Sequence, residues 1–220
     1  MTGMAIATRP MAIGAKCPFI RPGVGGLVVQ ANGDPRLGPL GLKLLEVGYS
    51  APKVLKELME SDGPERIEWR QIAVLDKDGR TAGHTGKHNE EWAGHIAKRN
   101  FVAAGNRLAN ERVCASMAEV FEGGESLDLA DRVLSALEAA RDAGGQVAGQ
   151  YSAALLVYHQ RTYAWVDLRA DEHDEPIGEL RRLYKLYVPL MKYYNERPNN
   201  PGMPRDDVWR QELGIREGPR

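Results

Sequence analysis

The sequence predicts an α+β fold, a four-layer α-β-β-α sandwich of antiparallel sheets. Two observations carry that expectation. The hydrophobic period changes along the chain in the order strands, two helices, strands, two helices, strands, helix, which is not the strict alternation of a doubly wound sheet. The centre of the chain, residues 70–86 (RQIAVLDKDGRTAGHTG), reads as a hairpin. In it, residues 71–75 are a near-continuous apolar run suited to a strand covered on both faces. Residues 76–79 (DKDG) supply the tight turn, where Gly79 can take a positive φ, and residues 80–84 form the second strand.

Taken in order, residues 4–8 (MAIAT) and 11–15 (MAIGA) are apolar runs parted by Arg9-Pro10, read as a strand followed by a strand or extended segment. Residues 21–26 read as a Gly/Pro loop, 27–30 as a strand and 31–35 as a second loop. Leu37, Leu40, Gly41, Leu44 and Leu45 then recur at helical spacing, with Gly48 as the stop. Ser50 is the expected N-cap of a second helix, Pro52 sits in its first turn, and Val54, Leu55, Leu58 and Met59 are its apolar stripe.

Beyond the hairpin, residues 87–91 are a polar loop and 101–104 a strand leading to Gly105-Asn106. A helix over 108–121 is broken by Gly123-Gly124, and Ser126 is the expected cap of the next, which ends at Gly144-Gly145. Strands follow at 152–158 and 163–168, then an acidic loop at 171–175. The last helix starts near 176, with Pro189 expected to kink or break it. This division predicts a single domain over 1–195 and an extended arm rich in Pro, Asn and Gly over 196–220.

A chain of 220 residues is long enough for one sizeable core, and 43% apolar with 27% charged residues is ordinary for a globular protein. A net charge of −1 with no basic tract gives no reason to expect a nucleic acid or an anionic membrane as partner. No apolar run approaches the roughly 20 residues of a membrane span, and residues 1–16 show no charged leader before an apolar core. Cys17 and Cys114 match no metal or redox spacing and read as reduced thiols of a cytoplasmic protein, with a disulfide between them left open. His88, His95, His159 and His173 show no ligand pattern, so neither a metal nor a cofactor is expected.

Several residues are candidates for chemistry. His84-Thr85-Gly86 ends a strand with a base, a hydroxyl and a flexible backbone. Asn106 follows a glycine after a strand, so its amide can act as an oxyanion donor or simply cap a turn. Gln30 and Asn32, at the end of the 27–30 strand, can contact a polar ligand. Arg70 needs a carboxylate partner, which Asp167 or Asp171 can supply, while Asp167 and Arg169 can instead bind a charged substrate. Cys17 has no identifiable base nearby.

Residues 5–30, 37–59 (LGPLGLKLLEVGYSAPKVLKELM), 70–86, 92–95 (WAGH), 151–157 (YSAALLV) and 166–183 (VDLRADEHDEPIGELRRL) together resemble the bacterial family catalogued as domain of unknown function 1028, an Ntn-hydrolase-like family. The resemblance covers nearly the whole chain from Gly3 to about Tyr187, through the order and spacing of its stretches. It implies an Ntn-hydrolase-like sandwich. In that class the first residue of the mature chain, a Thr, Ser or Cys, attacks an amide carbonyl. Its own α-amine takes the proton, and backbone N–H groups or an Asn hold the oxyanion.

Members of the family usually begin with a strand of the type Thr-Phe-Ser-Ile-Val-Ala, then a turn, and then the strand matching residues 4–8. This sequence starts at that turn. Three readings stand: a natural start further upstream, Thr2 as the nucleophile after removal of Met1, or loss of amide-hydrolase chemistry. The resulting expectation is a hydrolase of an amide or cyclic-amide C–N bond in a small metabolite. Thr2, His84, Thr85 and Asn106 are its candidate catalytic residues, and Gln30, Asn32, Arg70, Gly86, Asp167 and Arg169 its candidate substrate contacts. The alternatives are an acid–base enzyme such as a deaminase using His84, and a catalytically silent ligand-binding member. Sheet edges and the aromatic helix residues Tyr184, Tyr187, Tyr193 and Tyr194 suggest a homo-oligomer.

Overall fold

Alternation along two paired strands decides how the layers stack. In the computed structural model, which describes residues 1–215, β3 (Gly25–Ala31) pairs antiparallel with β4 (Arg70–Asp76), setting Leu27 opposite Val74 and Val29 opposite Ile72. Directly opposed side chains share a face. These four are buried in one cluster with Leu37 and Leu45 of α1 (Leu37–Glu46) and Val54 and Leu58 of α2 (Ala51–Asp62). The intervening residues, Val28, Gln30, Gln71 and Ala73, therefore face the opposite way.

The four-stranded sheet is completed by β2 (Pro18–Arg21) and β5 (Thr81–Thr85), in the order β2-β3-β4-β5. A two-stranded sheet, β6 (Gly94–Lys98) with β7 (Phe101–Gly105), packs against β4 and β5. A three-stranded sheet has the order β1-β8-β9, from β1 (Thr2–Thr8), β8 (Ser152–Tyr158) and β9 (Val166–Ala170). Ile6, Ala154 and Leu156 join it to Ile20 and Val28 of the four-stranded sheet. On the far side, α3 (Arg112–Gly123) packs on β6 and β7, and α4 (Leu129–Asp142) on β1 and β8. All strand pairs are antiparallel, and the fold is α+β.

Several local expectations are corrected. Residues 11–15 are not a strand; a 3-10 turn at Ile13–Ala15 follows Ala12, whose φ is 57°. The 21–26 loop is shorter than expected, because β2 precedes it and β3 begins at Gly25. Helix α3 starts at Arg112 rather than 108, because Leu108 forms a β-bridge with Gln146. Asp128, not Ser126, caps α4, accepting from the N–H groups of Ala130 and Asp131 at 2.9 and 3.1 Å. Strand β9 begins at Val166, three residues after the expected start at Tyr163.

The chain forms two compact units, Met1–Leu180 and the residues from Arg181 onward. Helix α5 (Pro176–Glu196) begins in the first and continues through Pro189, which does not end it. The arm after it is not wholly extended, since it carries α6 (Asp206–Glu212); its last residues, 216–220, lie outside the described residues. In this unit Tyr193 is buried, edge-on to Tyr194 and in ring contact with Trp209 of α6. Tyr184 is buried as well, so neither tyrosine supplies the exposed aromatic surface expected of it. Among the described residues no helix is long and apolar enough to cross a membrane. Cys17 and Cys114 are both free thiols.

Asp76 ties the central hairpin to α2. Ser50 makes no side-chain cap; instead Asp76 Oδ2 accepts from the Ala51 N–H at 2.9 Å and from Arg80 Nε at 2.7 Å. Its Oδ1 accepts the N–H groups of Asp78 and Arg80, each at 3.0 Å. Burial pushes this carboxyl up, but the Arg80 guanidinium and the three backbone donors outweigh it, leaving the pKa below its ordinary value. A depressed folded pKa gives stability that is present above the unfolded value, about 3.9, and is lost as pH falls through the folded one. Asp76→Ala is expected to cost about 1–3 kcal/mol at pH 7 and to flatten the acid limb of the stability curve, measured by urea denaturation from pH 7 downward.

Candidate functional site

On the face turned away from α1 and α2, cross-strand pairing lines up Gln30, Gln71 and Thr85 across β3, β4 and β5. Gln71 is 1% exposed, so its carboxamide must find partners inside the protein. Its Oε1 accepts from Gln30 Nε2 at 2.7 Å and from Asn106 Nδ2 at 3.2 Å. Its Nε2 shares two protons among Thr85 Oγ1 at 2.9 Å and the carbonyls of Gly94 at 3.0 Å and Gly105 at 2.9 Å. One buried side chain thus fastens β6 and β7 to the four-stranded sheet and holds two further carboxamides beside it.

The row continues to His95. Thr85 Oγ1, which accepts from Gln71, also shares a hydrogen bond with His95 Nδ1, 2.9 Å away. Burial first, and the nearby charge of His84 second, hold the His95 pKa below its ordinary 6.5. The ring lies so close to the sheet that a Cβ on Gly83 would come within 2.4 Å of it.

The row borders a cavity of about 500 Å³ whose walls include residues 1–10 and 100–108. Most of its lining is apolar, with Val28, Leu75, Met117 and Val133 among it. One end is polar. There Gln30, Asn32 and Asn106 meet Gln146, which accepts from Thr8 Oγ1 at 3.1 Å and donates to the Asn106 carbonyl at 3.0 Å. Ala31 and Arg107, each next to one of these carboxamides, hold left-handed backbones at φ 65° and 55°, a cost that non-glycine residues bear most often at functional sites. Trp69, 47% exposed, stacks on His88 at 4.6 Å between ring centroids, and both rings line the same end. Asn89 donates to the carbonyls of Arg70 and Gly86 at 3.0 and 2.8 Å, which leaves its buried Oδ1 without a partner among the described residues.

The sequence candidates divide accordingly. Gln30, Asn32 and Asn106 line the polar end. Thr2 also lines the cavity but sits beside Gly26, about 20 Å along β1 from Thr8. Thr85 is one position removed from the cavity, behind Gln71. His84 pairs opposite Ile72 on the helix-facing side, its Nε2 3.0 Å from the Ile67 carbonyl, and does not line the cavity. Gly86 is needed for close approach, since a Cβ there would lie 2.3 Å from the Glu68 carbonyl oxygen.

Arg70 is paired, though neither with Asp167 nor with Asp171. Its Nε donates to the buried Asp62 Oδ2 at 3.0 Å and its Nη1 to the Asn32 carbonyl. Asp62 ends the adjacent helix α2 and is far nearer in the chain than either expected partner. Asp167 and Arg169 are exposed on β9, 3.6 Å from one another and outside the cavity. Burial raises the Cys17 and Cys114 thiols to about 11, with Lys16 and a Gly105 backbone contact respectively pulling the other way, so neither is a thiolate at neutral pH. No cluster of metal-ligating side chains occurs among the described residues. Sequence reasoning missed Thr8, Trp69, Asn89 and Gln146; it treated Gln71 only as part of a buried strand, and it weighed His88 and His95 only as metal ligands, finding no ligand pattern. For Gln71 a signal existed: a carboxamide opening an apolar run in a strand covered on both faces needs an internal partner.

The fold and site thus define a layered α+β protein with a row of carboxamides, centred on the buried Gln71, at the polar end of a largely apolar cavity. The chain belongs to the family of unknown function DUF1028, whose model matches residues 1–180. It is similar to a crystal structure of a protein from Silicibacter pomeroyi assigned to the same family. The two share 32% identity and a TM-score of 0.77, covering 84% of this chain and 80% of that one. No curated protein matches it.

Two substitutions test the row. Gln71→Leu leaves Gln30, Asn106 and two carbonyls short of partners and is expected to cost about 1–3 kcal/mol in urea denaturation. A lowered His pKa means the unfolded chain binds more protons, so the His95 contribution weakens as pH falls through 6.5 and levels off below the folded value. Gly83→Ala is expected to displace the His95 ring and move its NMR-detected titration back toward 6.5.

Proposed function

We propose that this chain acts on the C–N bond of an amide or cyclic amide in a small metabolite, on an Ntn-hydrolase-like frame. The observation that carries the reading is the carboxamide set Gln30, Gln71 and Asn106 at the polar end of an otherwise apolar cavity. Carboxamides present a donor and an acceptor side by side, the complement of another amide. Asn106 has one N–H committed to Gln71 and a second left to donate to a carbonyl oxygen, and that bond strengthens as charge develops on the oxygen. Trp69 and His88 offer a stacked aromatic surface at the same end, which favours a planar group such as a ring amide. The layer order, helices outside and antiparallel sheets inside, is the support for the Ntn-like frame.

A second reading, a ligand-binding member without turnover, is favoured by the separation of Thr2 from Asn106 along β1. In that case the polar end recognises an amide and nothing attacks it. The deaminase reading is not favoured, since the His84 ring faces the helices.

A panel of linear and cyclic amides and ureides, followed by NMR for ring opening or amine release, separates the first two readings. Turnover is expected, with Asn106→Ala lowering kcat/KM by about 10²–10³-fold and Trp69→Ala raising KM by about 3–10-fold. Saturable binding of an amide with no turnover supports the binding reading instead. An absence of both binding and turnover across the panel contradicts the proposal.

A further inference from the structure

The charges around the cavity are not those of the chain as a whole. The protein carries a net charge of −1. Yet among the described residues the cavity is lined by three arginines, Arg9, Arg107 and Arg141, and by a single carboxylate, Glu90. Gln146 gathers them at the polar end. Its Oε1 accepts from the Arg9 N–H at 3.2 Å, and its Nε2 donates to the Asn106 carbonyl, which is bonded directly to the Arg107 nitrogen. Val147 beside it donates to the Arg107 carbonyl at 3.0 Å. Arg141 lies in the last turn of α4, which leads into this same loop.

Two of these guanidiniums are matched. Arg107 pairs with Glu90, and Arg141 with Asp142 at 2.8 Å. Glu90 and Asp142 are both exposed, so each pair contributes little and yields to another carboxylate. The Arg9 guanidinium has no partner among the described residues. Arg107 has a further peculiarity. Its backbone is held at φ 55°, with its N–H on the Glu90 carbonyl at 3.0 Å. Glycine adopts that conformation freely and arginine does not, so the strain is tolerated at the position that carries a guanidinium to the cavity. The polar end thus has one guanidinium in excess and a second held by an exchangeable carboxylate.

We infer that the amide recognised here also carries a carboxylate, and that Arg9 and Arg107 bind it. The assignment rests on the amide reading above and adds an acidic group to the substrate. One unmatched guanidinium calls for one negative charge. The planar fork of arginine takes a carboxylate through two parallel N–H···O bonds. Apolar walls concentrate the field of the arginines at the polar end and draw small anions to it. Asn106 and Arg107 are consecutive, and neighbouring Cα atoms stand about 3.8 Å apart, so the amide oxygen and the carboxylate of one small molecule are both within reach. The substrate class is then an N-acyl or cyclic-amide derivative of a small carboxylic acid, its two polar groups a few bonds apart. Glu90 competes with that carboxylate for Arg107.

The test titrates the full chain with a matched pair, pyrrolidinone and its ring-carboxylated form, pyroglutamate. The side-chain amide signals of Gln30 and Asn106 are followed by NMR. Pyroglutamate is expected to bind about tenfold tighter than the neutral lactam, with the advantage shrinking as sodium chloride is raised. Arg9→Gln is expected to remove most of that advantage. Glu90→Gln is expected to raise the affinity for pyroglutamate about threefold, a gain that misfolding does not produce. Equal affinity for the two lactams overturns the inference and leaves the amide reading standing. So does an advantage that survives in the Arg9→Gln, Arg107→Gln double variant. Binding of neither lactam at Gln30 and Asn106 overturns the inference together with the amide reading.

Discussion

The carboxamide of Gln71 is the constraint on which the site depends. A side chain that is 1% exposed in the middle of the protein has to satisfy both of its polar atoms internally. It does so with groups from three directions: Gln30 on β3, Thr85 on β5, and the Gly94 and Gly105 carbonyls of β6 and β7 with Asn106 just beyond. Each bond fixes an element that dispersion alone would leave free to slide. Because the bonds share one carboxamide they are coupled, and loss of the hub strands several buried groups together.

Strand parity turns that hub into a cavity wall. Val74, Ile72 and their partners take the helix-facing side of the sheet, which commits Gln30, Gln71 and Ala73 to the inner side. The same rule sends His84 to the helices and Thr85 to the carboxamide row. Arg70, at the head of β4, is drawn to the buried Asp62 at the end of α2, and this pair anchors helix to strand beside the polar end of the cavity. Breaking one partner of such a buried pair costs more than the pair contributes, so its role is to fix geometry.

Much of the fold was legible in the sequence, because it rests on long, periodic segments. The stripes of α1, α2 and α4 and the runs that became β1, β4, β7 and β8 all announced themselves. What escaped was short or non-local. The strands β2 (PFIR) and β6 (GHIAK) are short and mix Pro, Gly and charged residues with apolar ones, so no apolar run marks them. The cap of α2 comes from Asp76, which is 25 residues from Ala51 and brought to it only by tertiary packing. At the site, Gln30, Asn32 and Asn106 were visible as polar residues at strand ends. His84 was misread because a strand-end histidine does not reveal its face until the register with Ile72 is known. Thr8 and Gln146 were missed because their contact spans 138 residues.

The most direct measurement is the side-chain amide spectrum of ¹⁵N-labelled protein, recorded with and without a small cyclic amide. A buried Gln71 hub with two carboxamides exposed to the cavity predicts that the Gln71 NH₂ signals exchange slowly with water. It predicts as well that the Gln30 and Asn106 signals shift saturably with added amide. Rapid solvent exchange at Gln71, or amide-induced shifts that bypass Gln30 and Asn106, would contradict it.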